Sequence, residues 1–291
     1  MPGADRPTLL VTGATGYLGR ALVPLAARRA EVIGASQAGG GGRVALDVAD
    51  RRQVFELLEG LRPAAVIHAA AVNPPEGPER RMEAVNVAGS AHVAEAAAAV
   101  GARLVHVSTD VIFDGRAAPY ADDASPTPLG EYGRTKAAGE AEVLARCPGA
   151  VSVRTSLIYG LRRIDRGTQG FVKTLASMGE LVLYRDVLRQ PVSVEALSAA
   201  LLALALDHRQ ERGTLNVAGR QAISRAAFGR RLLDWWGVDT EDRIVEVDAA
   251  LAAPDVPLDL RLRLDRAERL GFDLPGVDEV LERSGAARRG D

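Results

Sequence analysis

Thr8-Leu9-Leu10-Val11-Thr12-Gly13-Ala14-Thr15-Gly16-Tyr17-Leu18-Gly19 is the stretch on which the fold turns. Its first five residues are apolar or β-branched and read as a strand. Three glycines spaced by three follow, and a helical pattern then runs to about Arg29. Glycines at such a junction permit a tight turn, close approach of backbone to a pyrophosphate, and close packing of helix on strand. The first turn of the helix adds free N–H groups for an anion. Gly13, Thr15, Gly16, Tyr17, Leu18 and Gly19 are therefore candidate cofactor contacts. The spacing is GxxGxxG rather than GxGxxG, so its position directly after the first strand is what points to a dinucleotide.

Working outward, the same alternation repeats. Glu31–Ala35 reads as a strand, and Asp50 can cap a helix through Leu61. Ala65–Ala69 is a third strand, Glu79 to about Val100 an Ala-rich helix, and Leu104–Val107 a fourth strand. A helix from about Tyr132 to Ala145 and a strand at Val151–Arg154 complete the series. Strands alternating with helices predict an α/β fold, a doubly wound, Rossmann-like parallel sheet covered on both faces. Residues 1–160 form the expected dinucleotide-binding domain. Residues 161–291 form a smaller substrate-binding domain, with 190–217 returning to the first. Leu161–Gly170 reads as a polar connection, and helices are expected at Gly170–Met178, Ser193–His208 and Ser224–Trp236. Leu181–Tyr184 and Thr214–Val217 read as strands, Pro254–Leu264 as extended, and the tail Arg283–Asp291 as frayed.

Composition narrows the function. Among 291 residues, 36 basic against 38 acidic side chains give a net charge of −2, which argues against nucleic acid or an anionic membrane as partner. The single cysteine, Cys147, excludes an internal disulfide framework, and four scattered histidines argue against a metal cluster. The longest apolar run, Ala196–Leu206, is far short of a membrane span. Met1–Pro7 is short and polar, with no signal core. A cytoplasmic protein is expected. Only Lys136 and Lys173 are lysines; every other basic residue is arginine.

The second strand ends Gly34-Ala35-Ser36-Gln37 without the carboxylate that usually binds a ribose 2′-hydroxyl. Ser36 can donate to a 2′-phosphate, and Arg43 lies just beyond, so NADP(H) is favoured, with NAD(H) as the alternative. Asp47 and Val48 are candidates for the adenine side. Tyr132 and Lys136 stand four residues apart and share a helix face. An ammonium beside a phenol favours the phenolate and brings its proton into the working range. Thr109, with Ser108 in reserve, ends the fourth strand, where a hydroxyl can hydrogen-bond a carbonyl oxygen as charge develops on it.

The whole chain resembles the extended short-chain dehydrogenase/reductases, and within them the dTDP-4-dehydrorhamnose reductase branch. The resemblance rests on Gly13–Gly19, His68-Ala69-Ala70-Ala71, Val85-Asn86, Ser108-Thr109-Asp110-Val111-Ile112-Phe113-Asp114-Gly115, Pro128-Leu129, Tyr132–Lys136 with Gly139-Glu140, and Arg154-Thr155-Ser156-Leu157-Ile158-Tyr159-Gly160. Gln190-Pro191-Val192 and Leu264-Asp265 are weaker echoes. It implies a catalytic set of Thr109, Tyr132 and Lys136, with Ala69, Ala70, Ala71 and Asn86 beside the cofactor and a nucleotide sugar as substrate. Asn73, Val111, Leu157 and Arg189 fall on the substrate side. The branch usually carries an aromatic residue where Val111 and Leu157 stand, which leaves the sugar open. A homodimer is a family expectation. Alternatives on the same fold are a nucleotide-sugar epimerase or dehydratase using bound NAD, and a cofactor-binding regulatory subunit like that of methionine adenosyltransferase.

Other residues have two readings. Arg162, Arg163 and Arg166 suit either a diphosphate clamp or a solvated loop. His68 and His106 read as buried, hydrogen-bonded residues. Trp235-Trp236 read as packing beneath a helix, and Lys173 as a surface residue.

Overall fold

The computed structural model describes residues 6–73, 79–177, 179–240, 242–253 and 255–290. The first strand, β1 (Thr8–Thr12), leads through the glycine turn into α1 (Tyr17–Ala26). Then come β2 (Glu31–Ser36), β3 (Val44–Ala45), α2 (Arg51–Leu61) and β4 (Ala65–His68). The Ala-rich helix is three pieces: α3 (Glu79–Met82), a π-helical segment Glu83–Gly89, and α4 (Ser90–Ala99). Next are β5 (Arg103–Thr109), a short 3-10 turn Asp110–Ile112, α5 (Glu131–Arg146) and β6 (Val151–Thr155). Asp50 caps α2 as expected, its carboxylate accepting from the Gln53 N–H at 3.2 Å.

A seven-stranded sheet runs in the order Gly213–Asn216, β6, β5, β4, β1, β2, β3. The neighbours β3, β2, β1, β4 and β5 are parallel. The order reverses between β1 and β4, the switch point beyond which open α/β sheets bind ligands. The register aligns Leu10, Val66 and Leu104 across three strands. These pack with Val54 and Leu58 of α2, Val93 and Ala97 of α4, and Val143 of α5 into one apolar cluster. Two residues further along, on the same face, the register aligns Thr12, His68 and His106. That face changes from apolar to polar at the strands' carboxyl ends while remaining buried.

The chain divides into two compact units. The first comprises Met1–Ile112, Gly130–Arg154 and Ser198–Leu215; the second comprises Phe113–Leu129, Thr155–Leu197 and Asn216–Asp291. In the second unit, helix Arg166–Ala176 starts before Gly170 because Asp165 caps it, accepting from the Thr168 N–H at 3.0 Å. The polar connection expected over Leu161–Gly170 is thus partly helix. Strand Leu181–Tyr184 pairs in parallel with Ile244–Val247, a strand not expected above although three of its four residues are β-branched. The extended segment expected over Pro254–Leu264 is shorter: the chain turns and bends over 255–258, bridges Leu188 at Asp259 and Tyr120 at Leu262, and leaves the extended region at Leu264 (φ −110°, ψ 8°); Pro254 lies outside the described residues. The tail expected to fray is the end of helix Val277–Gly290; Asp291 lies outside the described residues. Trp235 donates to the Leu161 carbonyl at 3.2 Å and packs with Tyr159 and Phe228. No helix among the described residues is long and apolar enough to cross a membrane.

In the first unit, Glu140 of α5 accepts a forked pair of bonds from Arg154 of β6, the shortest 2.6 Å, with both side chains 4% exposed or less. A buried pair deprived of one partner leaves an uncompensated charge. Arg154→Met is therefore expected to lower the free energy of unfolding by about 3–5 kcal/mol, measured by urea denaturation. A loss under about 1 kcal/mol would show that solvent reaches the carboxylate.

Candidate functional site

The turn after β1 needs its first glycine twice over. Gly13 has φ +72°, and a Cβ there would lie 2.7 Å from the Ala69 carbonyl. The Gly13 carbonyl accepts from the Gly16 N–H at 2.9 Å, and Gly16 forms the N-cap of α1 without a side-chain cap. A Cβ on Gly19 would come within 2.3 Å of the Gly13 carbonyl oxygen, so the helix rests directly on the turn. No acidic residue occupies the first turn of α1, and its N–H groups suit an anion. Tyr17 and Thr15 are half-buried at this corner, and Leu18 is buried.

Ser36 closes β2 with its hydroxyl buried and without a protein partner. Arg43 lays its stem against Gly34, where an added Cβ would come 3.4 Å from its Cγ, and its Nε is likewise buried and unsatisfied. An unused hydroxyl and guanidinium nitrogen at the end of β2 fit a phosphate there. Asp47 is engaged otherwise, accepting from Arg81 at 3.2 Å and from Gln37 at 3.3 Å, and Val48 belongs to the apolar cluster.

Past β4, Ala69, Ala70, Ala71 and Asn73 are half-buried. The Thr12 hydroxyl accepts from the Ala70 N–H at 3.4 Å and bonds His68 Nδ1 at 2.7 Å. His68 Nε2 lies 3.2 Å from the Ser90 hydroxyl, which donates to the Asn86 carbonyl at 2.8 Å. The Asn86 side chain is fully committed. It accepts from the Val72 N–H and donates to the Val72 carbonyl, both at 2.9 Å, and donates to Thr135 at 3.1 Å. Asn86 therefore positions the segment after β4, and its amide is not open to a ligand.

Thr109 ends β5, half-buried, its hydroxyl accepting from the Val111 N–H at 3.4 Å. Ser108 points to the opposite face, buried and without a partner. Tyr132 sits half-buried in the first turn of α5, and Lys136 follows one turn later, fully buried. The Lys136 ammonium donates to the Val107 carbonyl at 2.8 Å and lies 3.4 Å from His106 Nε2. Burial pulls the Lys136 pKa down to about 8, with Glu140 opposing. Burial and the nearby ammonium lower His68 to about 3 and hold His106 well below its ordinary value, so both imidazoles are neutral.

Val111 is half-buried in the first unit, while Leu157, half-buried, and Arg189, buried in a strand pair with Ile223, belong to the second. Arg162, Arg163, Arg166 and Lys173 are exposed. No group of side chains suited to a metal ion occurs among the described residues. Sequence reasoning missed the partners Ser90, Ser152 and Thr135, because a lone hydroxyl in an apolar run carries no signal of what it faces.

Lys136 also sets a pH dependence. Its pKa is lower in the fold than the 10.5 of a free side chain, so the unfolded chain binds more protons between pH 8 and 10.5. The cost of the buried cation is full below pH 8 and fades as pH rises through that window. Relative to Lys136→Met, the wild-type chain is expected to gain about 3 kcal/mol of stability from pH 8 to pH 10.5, measured by denaturant titration at each pH. A flat difference would mean that water solvates the ammonium in the fold.

Comparison with known proteins adds independent findings. Residues 7–282 match the RmlD substrate binding domain family. A dTDP-4-dehydrorhamnose reductase of Sinorhizobium fredii is 30% identical over 293 residues, covering 94% of this chain and 95% of that protein. Methionine adenosyltransferase 2 subunit beta of Xenopus laevis is 29% identical over 274 residues, covering 90% of this chain and 82% of that protein. The crystal structure of a dTDP-4-dehydrorhamnose reductase from Bacillus anthracis in complex with NADP is similar, with a TM-score of 0.81 at 26% identity, covering 97% and 98% of the two chains.

Proposed function

The chain belongs to the RmlD substrate binding domain family, and on that premise we propose that it is a nicotinamide-dependent reductase of a keto group on a nucleotide-linked sugar, of the dTDP-4-dehydrorhamnose reductase kind. The observation that carries this reading is Lys136, a buried ammonium one helical turn after Tyr132 and bonded to the strand that ends in Thr109. A buried cation costs stability, so its presence argues for chemical use. That same cost speaks against a purely regulatory subunit, the reading suggested by the likeness to methionine adenosyltransferase 2 subunit beta.

NADPH, when bound, supplies the hydride to the carbonyl carbon. Tyr132 donates the proton to the carbonyl oxygen, and the Thr109 hydroxyl hydrogen-bonds that oxygen as negative charge develops on it. The Lys136 ammonium acts across a low-dielectric interior and favours the phenolate left behind. The N–H groups of the first turn of α1 would hold the pyrophosphate, and Ser36 and Arg43 would hold the 2′-phosphate, which favours NADP(H) and leaves NAD(H) usable.

We assign the dinucleotide to the first unit and give the second a substrate role. Asn73 and Val111 of the first unit and Leu157 and Arg189 of the second are the substrate candidates. A cytoplasmic location and a homodimer belong to the same reading. NADPH and nucleotide sugars are charged cytoplasmic metabolites, and a groove floored by Ala84, Ala88, Ala91 and Ala138 and flanked by charged side chains such as Arg51, Glu95 and Arg146 is assigned to a second copy.

Two experiments test this. Calorimetric titration is expected to show tighter binding of NADPH than NADH, and Arg43→Ala is expected to weaken NADPH alone, by about tenfold or more. Equal loss for both cofactors would remove the 2′-phosphate assignment. With a dTDP-4-keto sugar, absorbance at 340 nm is expected to report net NADPH consumption, and Tyr132→Phe to lower its rate by about 10²–10⁴-fold with NADPH binding intact. Turnover of sugar without net consumption would point to an epimerase or dehydratase, and a wild-type rate in the variant would overturn the role of Tyr132.

A further inference from the structure

We propose that His106 is a positioning residue for Lys136. Its Nε2 lone pair accepts a hydrogen bond from the ammonium, and a buried chain through Ser152 and Glu140 to Arg154 holds the imidazole in the one tautomer that can accept. The proposal deepens the reductase reading, which assigns Lys136 its role, although the geometry stands without it.

The chain of bonds fixes the proton positions. Arg154 supplies a guanidinium to the Glu140 carboxylate, which can only accept. The Ser152 hydroxyl therefore donates to Glu140 Oε2, at 3.1 Å. Its oxygen is left to accept, and His106 Nδ1 lies 2.9 Å away. His106 then carries its proton on Nδ1 and presents a lone pair at Nε2, 3.4 Å from Lys136 Nζ. The second acceptor for the ammonium is the Val107 carbonyl, at 2.8 Å. Two of the three ammonium protons are thus aimed from β5, which leaves the third for the reacting side. A Lys136 deprived of Nε2 keeps a buried donor without a partner, and its charged form loses stabilisation.

Every charged or titratable group around the pair fits this arrangement. His68 of β4 stacks on His106 with ring centroids 5.7 Å apart, and it is neutral, its Nδ1 on Thr12 and its Nε2 on Ser90. Glu140 and Tyr132 lie on the same helix as Lys136, and Arg154 of β6 lies beyond Glu140. A protonated His106 would face the ammonium as a like charge, and burial prevents it. A plain core residue at 106 would extend the apolar row of Leu104 and would need none of Ser152, Glu140 or Arg154.

The test divides the imidazole into its halves. In His106→Gln the amide oxygen reaches the place of Nε2 and still accepts from Lys136. In His106→Asn the shorter amide reaches only the place of Nδ1 and serves Ser152 alone. The full-length chain is labelled with ¹⁵N-lysine; it has two lysines, and Lys173→Arg assigns the second resonance. The Lys136 Nζ titration midpoint is expected to fall by about one pH unit in His106→Asn and to stay near wild type in His106→Gln. The kcat is expected to fall about tenfold in His106→Asn alone, with KM for NADPH unchanged. Equal midpoints in wild type and His106→Asn, or an equal fall in both variants, would overturn the proposal. Should either variant fail to fold, ¹H–¹⁵N histidine correlations of the wild-type chain decide. A proton on His106 Nδ1 supports the proposal, and a proton on Nε2 overturns it. A chain that turns over no sugar nucleotide would defeat the reductase reading and leave both NMR results standing.

Discussion

Two residues separate an apolar row, Leu10, Val66 and Leu104, from a polar one, Thr12, His68 and His106, and α4 and α5 cover both. Covering a polar row is costly unless each donor and acceptor is matched. The rest of the first unit's carboxyl end follows from that demand. Thr12 and Ser90 satisfy the two nitrogens of His68, and Ser152 and Lys136 satisfy those of His106. The π-helical segment contributes the carbonyl of Asn86 to Ser90 and its side chain to the backbone at Val72. The helices therefore sit where the strands' polar ends require partners, and the strand ends are fixed in turn.

Within this layer three charges are handled in two ways. Glu140 and Arg154 neutralise each other at close range, which keeps a pair of ions inside the protein without a net local charge. Among the described residues Lys136 has no such ion partner at bonding distance; its bonds go to the neutral acceptors Val107 and His106. Its charged form is held only moderately, which is why burial can bring its pKa near 8. An ammonium poised in that way responds to a proton leaving a neighbouring phenol, whereas one locked to a carboxylate would not.

Much of the frame was legible in the sequence because its signals are local. The strand–glycine–helix order at Thr8–Gly19, the Asp50 cap and the Tyr132–Lys136 spacing all depend on residues within a few positions of one another. The break of the Glu79–Val100 helix into α and π segments was not legible. Its apolar pattern fits an uninterrupted helix, and the break is tied to Val72 and Thr135, which are distant in sequence. The helical tail was hidden for the same reason: it is mostly polar, and its conformation rests on partners elsewhere in the chain. Strand Ile244–Val247 carries a local signal in Ile244, Val245 and Val247, but at four residues it stands out only once Leu181–Tyr184 pairs with it.

By itself, then, the sequence determined the doubly wound parallel sheet, the strand–glycine–helix turn, the lack of a carboxylate at the end of β2, and the Tyr132–Lys136 spacing on one helix face. Tertiary structure alone decided what those residues face. It assigned the Asn86 amide to Val72, left the Ser36 hydroxyl without a protein partner, and set His106 between Lys136 and Ser152. The physical reason is that helix and strand periodicities are written along the chain. The environment of a buried polar group is written across it, by strand register and helix packing that bring distant residues within bonding distance.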